Sequence, residues 1–157
     1  MNITDIRRLC IKGTEIDRAT TFKLFGIIIS SDLSWDSHVT YILHKVAKRM
    51  YCIIYLVRSG VPTCDILCVY CSVICSVLEY ACAVCHSGLT KKLSQDIERV
   101  QKRCLKLLYL ALSYNQALNK SGLERLESRH DVITWKMFQE IRPKTSLALF
   151  VATCKSV

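Results

Sequence analysis

Apolar and polar positions change rhythm twice along this chain. Over residues 8–29, β-branched residues and partial alternation predict strands in RLCIKG, EIDRA and FKLFGIII, with a turn at Gly13-Thr14. Gly26 inside the third segment marks a bulge or a close backbone approach. The polar run SSDLSW then leads into a helix near Trp35, with Ser34 or Asp36 available to accept its first amide hydrogens. From there Val39, Ile42, Val46, Met50, Ile53 and Val57 recur at steps of three and four, predicting a helix to about Ser59 that Gly60 and Pro62 end. Tyr41, Lys45, Lys48, Arg49 and Cys52 fall on its other side, leaving open a solvated face or a short phosphate-contacting patch.

A second helix is predicted from Thr63, an N-cap with Asp65 in the first turn. Cys64, Cys68, Cys71, Cys75, Cys82 and Cys85 follow at helical spacing, and at about 100° per residue all six share one narrow stripe. A third helix, about 91–109, buries Leu93, Ile97, Val100, Cys104 and Leu107. Its other side carries Lys92, Arg99, Arg103 and Lys106 in a single stripe. These charges repel one another unless an anion neutralises them, and Asp96 and Glu98 relieve only part of that repulsion. A short helix over 113–120, capped by Ser113 and ended at Gly122, precedes a last one from Glu124 to about Ile141 that stops at Pro143. The expected fold is mainly α: a small amino-terminal β element of two to three strands over 1–33, about five helices in a bundle-like arrangement over 34–142, and an unplaced apolar tail, 143–157.

Charge sharpens this picture. The net +9 divides into +4 for residues 1–60, −2 for 61–90 and +7 for 91–157, so a polyanion is expected to dock on the second half. The middle segment has neither Lys nor Arg, and residues 66–85 include one charge, Glu79, within a length that could span a bilayer. Glu79, Ser72, Ser76 and thiols in place of Leu and Phe favour a buried core helix over a membrane span, with Glu79 paired to a basic neighbour. Ten cysteines without a secretory signal at the amino terminus are expected as thiols in a reducing compartment, cytoplasm or nucleus.

Cys82-Ala-Val-Cys85-His86 matches the C-x-x-C-H pattern of covalent haem attachment, but that chemistry belongs to exported proteins and no cofactor is expected. Zinc is not expected either. Helical cysteines from Cys64 to Cys85 would be strung along roughly 30 Å of axis, and a site would need a second element such as Cys104 or His130. No adjacent aspartate pair, Ser-His-Asp signature or Gly-rich phosphate loop is present, so no catalytic residue and no small-molecule substrate are assigned.

Four phrases, taken in order, carry a family resemblance: FKLFGIIISSDLSWDSHVTYILHKVAKRMY (22–51), CSVICSVLEYACAVCHSGLT (71–90), IERVQKRCLKLLY (97–109) and LSYNQALNKSGLERLESRHD (112–131). Together they resemble the carboxyl-terminal part of reverse transcriptases of non-LTR retrotransposons, the LINE-type elements of the jockey and CR-one kind, over about residues 5–140. The resemblance implies that the FK-L-G strand is the end of a palm and that the helices beyond it form a thumb and following helical region holding a template-primer duplex. The family's polymerase carboxylates, including its Tyr-x-Asp-Asp pair, belong upstream of that strand, so the resemblance implies an element that is catalytically inert alone. Departures occur within the match. Cys75-Ser76 stands where the family has Arg-Pro, Ala83 and Cys85 where it has Pro and Trp, and His130 where a second Arg is usual, which is the drift expected of a remnant. A segment of this kind also resembles the amino-terminal domain of AlkB-homologue tRNA-modifying proteins, although the chain has neither a methyl-donor loop nor an iron-binding His-x-Asp pair. A non-catalytic protein-interaction module, associating through exposed apolar surface, is the alternative expectation.

Overall fold

The structure, a computed structural model, describes residues 10–141. The start of the first predicted strand, Pro143 and the tail 143–157 lie outside the described residues. The fold is mainly α with a small β element at its amino end.

That element holds four short strands in two antiparallel hairpins, where two to three strands are expected from the pattern. The strands are β1 (Cys10–Ile11), β2 (Thr14–Glu15), β3 (Thr21–Leu24) and β4 (Ile27–Ser30). The first turn is Lys12-Gly13, one residue earlier than the pattern suggests, and FKLFGIII is a hairpin, not one strand. Lys12 and Gly13, like Phe25 and Gly26, all have positive φ, the conformation of two-residue hairpin turns whose twist matches the strands. Gly26 therefore makes a turn and not a bulge. It also makes the expected close approach, since a Cβ there would stand 3.4 Å from the Tyr80 ring.

In β3–β4, Lys23 pairs with Ile28 and Phe22 with Ile29. One hairpin face lies on the first helix, where the buried His38 accepts a hydrogen bond from the Ile28 amide at Nδ1 (3.3 Å). Phe22, Leu24 and Ile29 are exposed on the opposite face.

Helix α1 (Asp36–Arg58) buries Val39, Ile42, Val46, Met50 and Ile53, with Val57 packed against the same cluster. Its start has no side-chain cap, because the N-cap residue is Trp35, with Ser34 before it and Asp36 already inside the first turn. Gly60, at φ 72, ends it.

The Thr63–Gly88 run is long and apolar enough to cross a membrane, but it is not one regular helix. α2 (Thr63–Val69) passes into a π-helical turn, Tyr70–Cys75, then α3 (Ser76–Glu79); Tyr80 and Ala81 break the axis before α4 (Cys82–Cys85). Ala81 adopts the left-handed conformation, φ 62. The π-turn has local causes. The Ser72 hydroxyl donates to the carbonyls of Cys68 (2.9 Å) and Val69 (3.2 Å), competing with the backbone, while Arg49 of α1 donates to the Val73 carbonyl (2.6 Å).

Wider turns and a broken axis destroy the 100° register on which a common cysteine stripe depends. The six thiols do not share a face: Cys64 and Cys68 are exposed, Cys71 is half-buried, and Cys75, Cys82 and Cys85 are buried. Ile66, Tyr70, Ile74, Val77 and Leu78 fill the core instead. Glu79 is paired as expected, with Arg129 of the last helix.

Helix α5 (Lys91–Leu108), capped by the Thr90 hydroxyl on the Leu93 amide, packs against α1. α6 (Tyr114–Ser121) starts at Ser113 in a reciprocal capping box with Gln116, and Gly122 ends it in the left-handed region. α7 (Leu126–Ile141) lies along α4 and α5.

Candidate nucleic-acid interface

The amphipathic pattern of α5 decides which of its side chains can meet a partner. Leu93, Ile97, Gln101, Cys104 and Leu105 are buried on one side, and Val100 and Leu107 pack half-buried beside them. Lys92, Arg99, Arg103 and Lys106 are all exposed on the other side, within about 60° of arc at helical spacing. Arg99 is ion-paired with Asp96 one turn earlier. Among the described residues, no carboxylate pairs with Lys92, Arg103 or Lys106.

Glu98 does not belong to the charge balance of this stripe. It accepts from the Tyr114 hydroxyl and, at 3.0 Å, from the Leu126 amide, so its charge is committed to the junction of α5, α6 and α7. Sequence reasoning missed two further cations here. Lys102 lies over the Tyr114 ring, 5.2 Å from its centroid, and Arg125 donates to Asn115; with Arg99 they line a groove of about 470 Å³. Lys102 falls off the stripe by helical arithmetic, and Arg125 reaches it only through the turn from α6 to α7.

Buried polar groups hold α5 in place. Gln101 is 1% exposed; its Oε1 accepts from the Tyr70 hydroxyl (3.1 Å), and its Nε2 donates to the Glu124 carbonyl (2.8 Å) and Tyr114 hydroxyl (3.2 Å). Burial raises the Tyr70 phenol far above its ordinary range, keeping it protonated as a donor. A lone Gln on a helix has no sequence signal that separates this role from a surface position.

Of the basic patch read on α1, Lys45 and Lys48 are exposed while Arg49 is half-buried against the Val73 carbonyl. The Cys82 to His86 motif forms one helical turn whose cysteines face inward, and His86 binds Asp131 at 2.9 Å. His130 lies against His86 with ring centroids 5.4 Å apart. Among the described residues, no three His, Cys, Asp or Glu side chains converge as metal ligands would. Burial pushes Cys75 and Cys104 up to about 12 and Cys85 up to about 11, so these sulfurs are neutral thiols rather than thiolates.

No family model, no curated protein and no solved structure matches this chain at a significant level.

Proposed function

We propose that this chain is a catalytically inert, thumb-type remnant of a retrotransposon reverse transcriptase that retains binding to the backbone of a template-primer duplex. Lys92, Arg99, Arg103 and Lys106 of α5 make the contacts. The supporting observation is the exposed stripe of four cations, of which one has a carboxylate partner among the described residues. Its rigid footing on Gln101 and the α1 core keeps the charges in register. The residues that resemble the family correspond to its duplex-holding elements, and its polymerase carboxylates belong to a segment outside the match, so no catalytic residue carries over.

Backbone contacts of this kind are blind to base sequence and sensitive to salt, with a slope of about −0.9 in log K against log salt per duplex-DNA phosphate neutralised. Titrating a duplex at two salt concentrations against the native chain and Arg99→Glu/Arg103→Glu tests the reading. The variant is expected to bind more weakly, with a slope shallower by about 1.8 for the two lost contacts. Equal affinity and equal slope would remove the stripe as a binding surface.

One observation favours a second reading, a non-catalytic interaction module. Phe22, Phe25 and Leu33 are 61, 83 and 78% exposed on the β3–β4 hairpin and the loop after it, a patch suited to covering by a protein partner. Concentration-dependent association in sedimentation velocity, without duplex binding, would select this reading over the first.

A further inference from the structure

A cleft of about 360 Å³ opens between the β3–β4 turn, α1 and α3, on different elements from the α5 stripe. Lys45 and Arg49, one turn apart on α1, line it together with Tyr41, Tyr80 and Ser76. Lys23 of β3, which is not part of the lining, adds a third cation against the Tyr41 side chain. Its Nζ donates to the Tyr41 hydroxyl at 2.9 Å and stands 4.5 Å from the centre of that ring. Among the described residues, no carboxylate lines the cleft.

Three features give this arrangement the character of a built site. Arg49 is held by the Val73 carbonyl, presented by the π-turn, which leaves further guanidinium donors fixed in direction without a long side chain to immobilise on binding. Tyr80 is equally fixed: its hydroxyl donates to the Phe25 carbonyl at 2.6 Å, and Gly26 leaves room for its ring. The positive field is registered at Tyr41, whose phenol is held below its ordinary range chiefly by the hydrogen bond and charge of Lys23, with Lys45 adding to the effect. π-turns recur at functional positions, and here the turn orients a cation.

Lys and Arg without a carboxylate select an anion, and a bidentate guanidinium fork suits phosphoryl oxygens. The volume is at the small end of ligand pockets and accommodates a phosphoryl group with one ring beside the tyrosines. We propose that this cleft binds a phosphate monoester, with Lys45 and Arg49 gripping the phosphoryl oxygens, Lys23 beside them, and Tyr41 and Tyr80 flanking the group it is attached to. The site does not depend on the duplex-binding reading, since none of its residues lies on α5.

Calorimetric titration at fixed ionic strength with inorganic phosphate, adenosine 5′-monophosphate and adenosine tests the proposal. The monophosphate is expected to saturate with Kd below about 1 mM, and adenosine to bind at least tenfold more weakly. Lys45→Glu should weaken monophosphate binding about tenfold or more, as loss of a charge-assisted contact does. Lys48→Glu makes the same charge change on the exposed part of the same helix, outside the cleft, and should alter affinity less than twofold; Arg99→Glu/Arg103→Glu should leave it unchanged. A trinucleotide with a 5′-phosphate, compared with its 5′-hydroxyl form, identifies a strand end as the source if it binds more tightly than the free monophosphate. The proposal is overturned if the native chain shows no saturation up to about 10 mM, if adenosine binds as tightly as its monophosphate, or if Lys48→Glu weakens binding as much as Lys45→Glu.

Discussion

Replacing Gln101 by Leu keeps a side chain of similar size in the core and removes all three of its hydrogen bonds. The Tyr114 hydroxyl retains Glu98, so two groups are left without partners: the Tyr70 hydroxyl and the Glu124 carbonyl. The Tyr70 hydroxyl is fully buried, so orphaning it costs about 1–3 kcal/mol, whereas Glu124 is exposed and its carbonyl can turn to water at little cost. Domains of this size are stable by about 5–15 kcal/mol, so the loss is a large fraction of the whole. Urea unfolding followed by far-UV circular dichroism reads it directly. With a slope of about 2 kcal/mol per molar, the midpoint should fall by about 0.5–1.5 M. Adding Tyr70→Phe to Gln101→Leu removes one orphan and should recover about 1–3 kcal/mol, whereas Tyr70→Phe alone destabilises by stranding the Gln101 oxygen. A cost below about 0.5 kcal/mol for Gln101→Leu, or simple additivity of the two changes, would refute the network as the anchor of α5.

Acid should weaken the fold before its carboxylates titrate. Burial depresses His130 to about 4, aided by His86 beside it, and burial also lowers His38. The unfolded chain takes up these protons as pH falls through about 6.5, while folded His130 stays neutral to about 4. Stability is therefore full above pH 6.5 and declines toward 4, by up to about 1.4 kcal/mol per pH unit for His130, with His38 adding in the same direction and the raised carboxyl of Glu79 offsetting part of the loss at the acid end. Thermal melts at pH 7.5 and 5 should differ accordingly in native chain, and less in His130→Gln. Site-resolved alkylation read by mass spectrometry should label Cys52, Cys64 and Cys68 in the native state, and Cys75, Cys82, Cys85 and Cys104 only on unfolding; uniform labelling of Cys64 through Cys85 would contradict the broken register. Ala81→Gly relieves a left-handed alanine at the helix break and should raise Tm by about 2–4 °C, while a fall in Tm would show that φ 62 carries no strain there.

The helices were legible where one period runs uninterrupted. Val39 through Ile53 occupy the core as their spacing predicts, and Ser113, Thr90, Gly60 and Gly122 cap or stop their helices through local chemistry that two or three residues determine. The stripe on α5 was legible for the same reason. The hairpin in FKLFGIII is not separable by pattern from one strand, because a Gly26 that fits a bulge or a close backbone approach equally fits the second position of a two-residue turn. Neither Ser34 nor Asp36 caps α1, because Trp35 takes the N-cap position, with Ser34 before it and Asp36 already the first helical residue. Gln101, Arg125 and the meeting of His86 with His130 depend on residues far apart in sequence, and no periodicity records such meetings.

The π-turn accounts for the largest departure from the pattern and for the cleft as well. Had the run from Thr63 stayed α-helical, six thiols would have shared one face. Instead the Ser72 hydroxyl donates to the Cys68 and Val69 carbonyls and the Arg49 guanidinium to the Val73 carbonyl, all within or beside the π-turn. The wider turn rotates Cys75 and the residues after it relative to Cys64 and Cys68, so that Tyr70, Ile74 and Cys75 reach the core together while the first two thiols remain in solvent. Arg49 is thereby turned from a member of an exposed helical patch into a half-buried, oriented cation, and Lys45 stays exposed one turn away. A polar contact that satisfies the backbone of one helix thus determines which charges of its neighbour remain available to an anion.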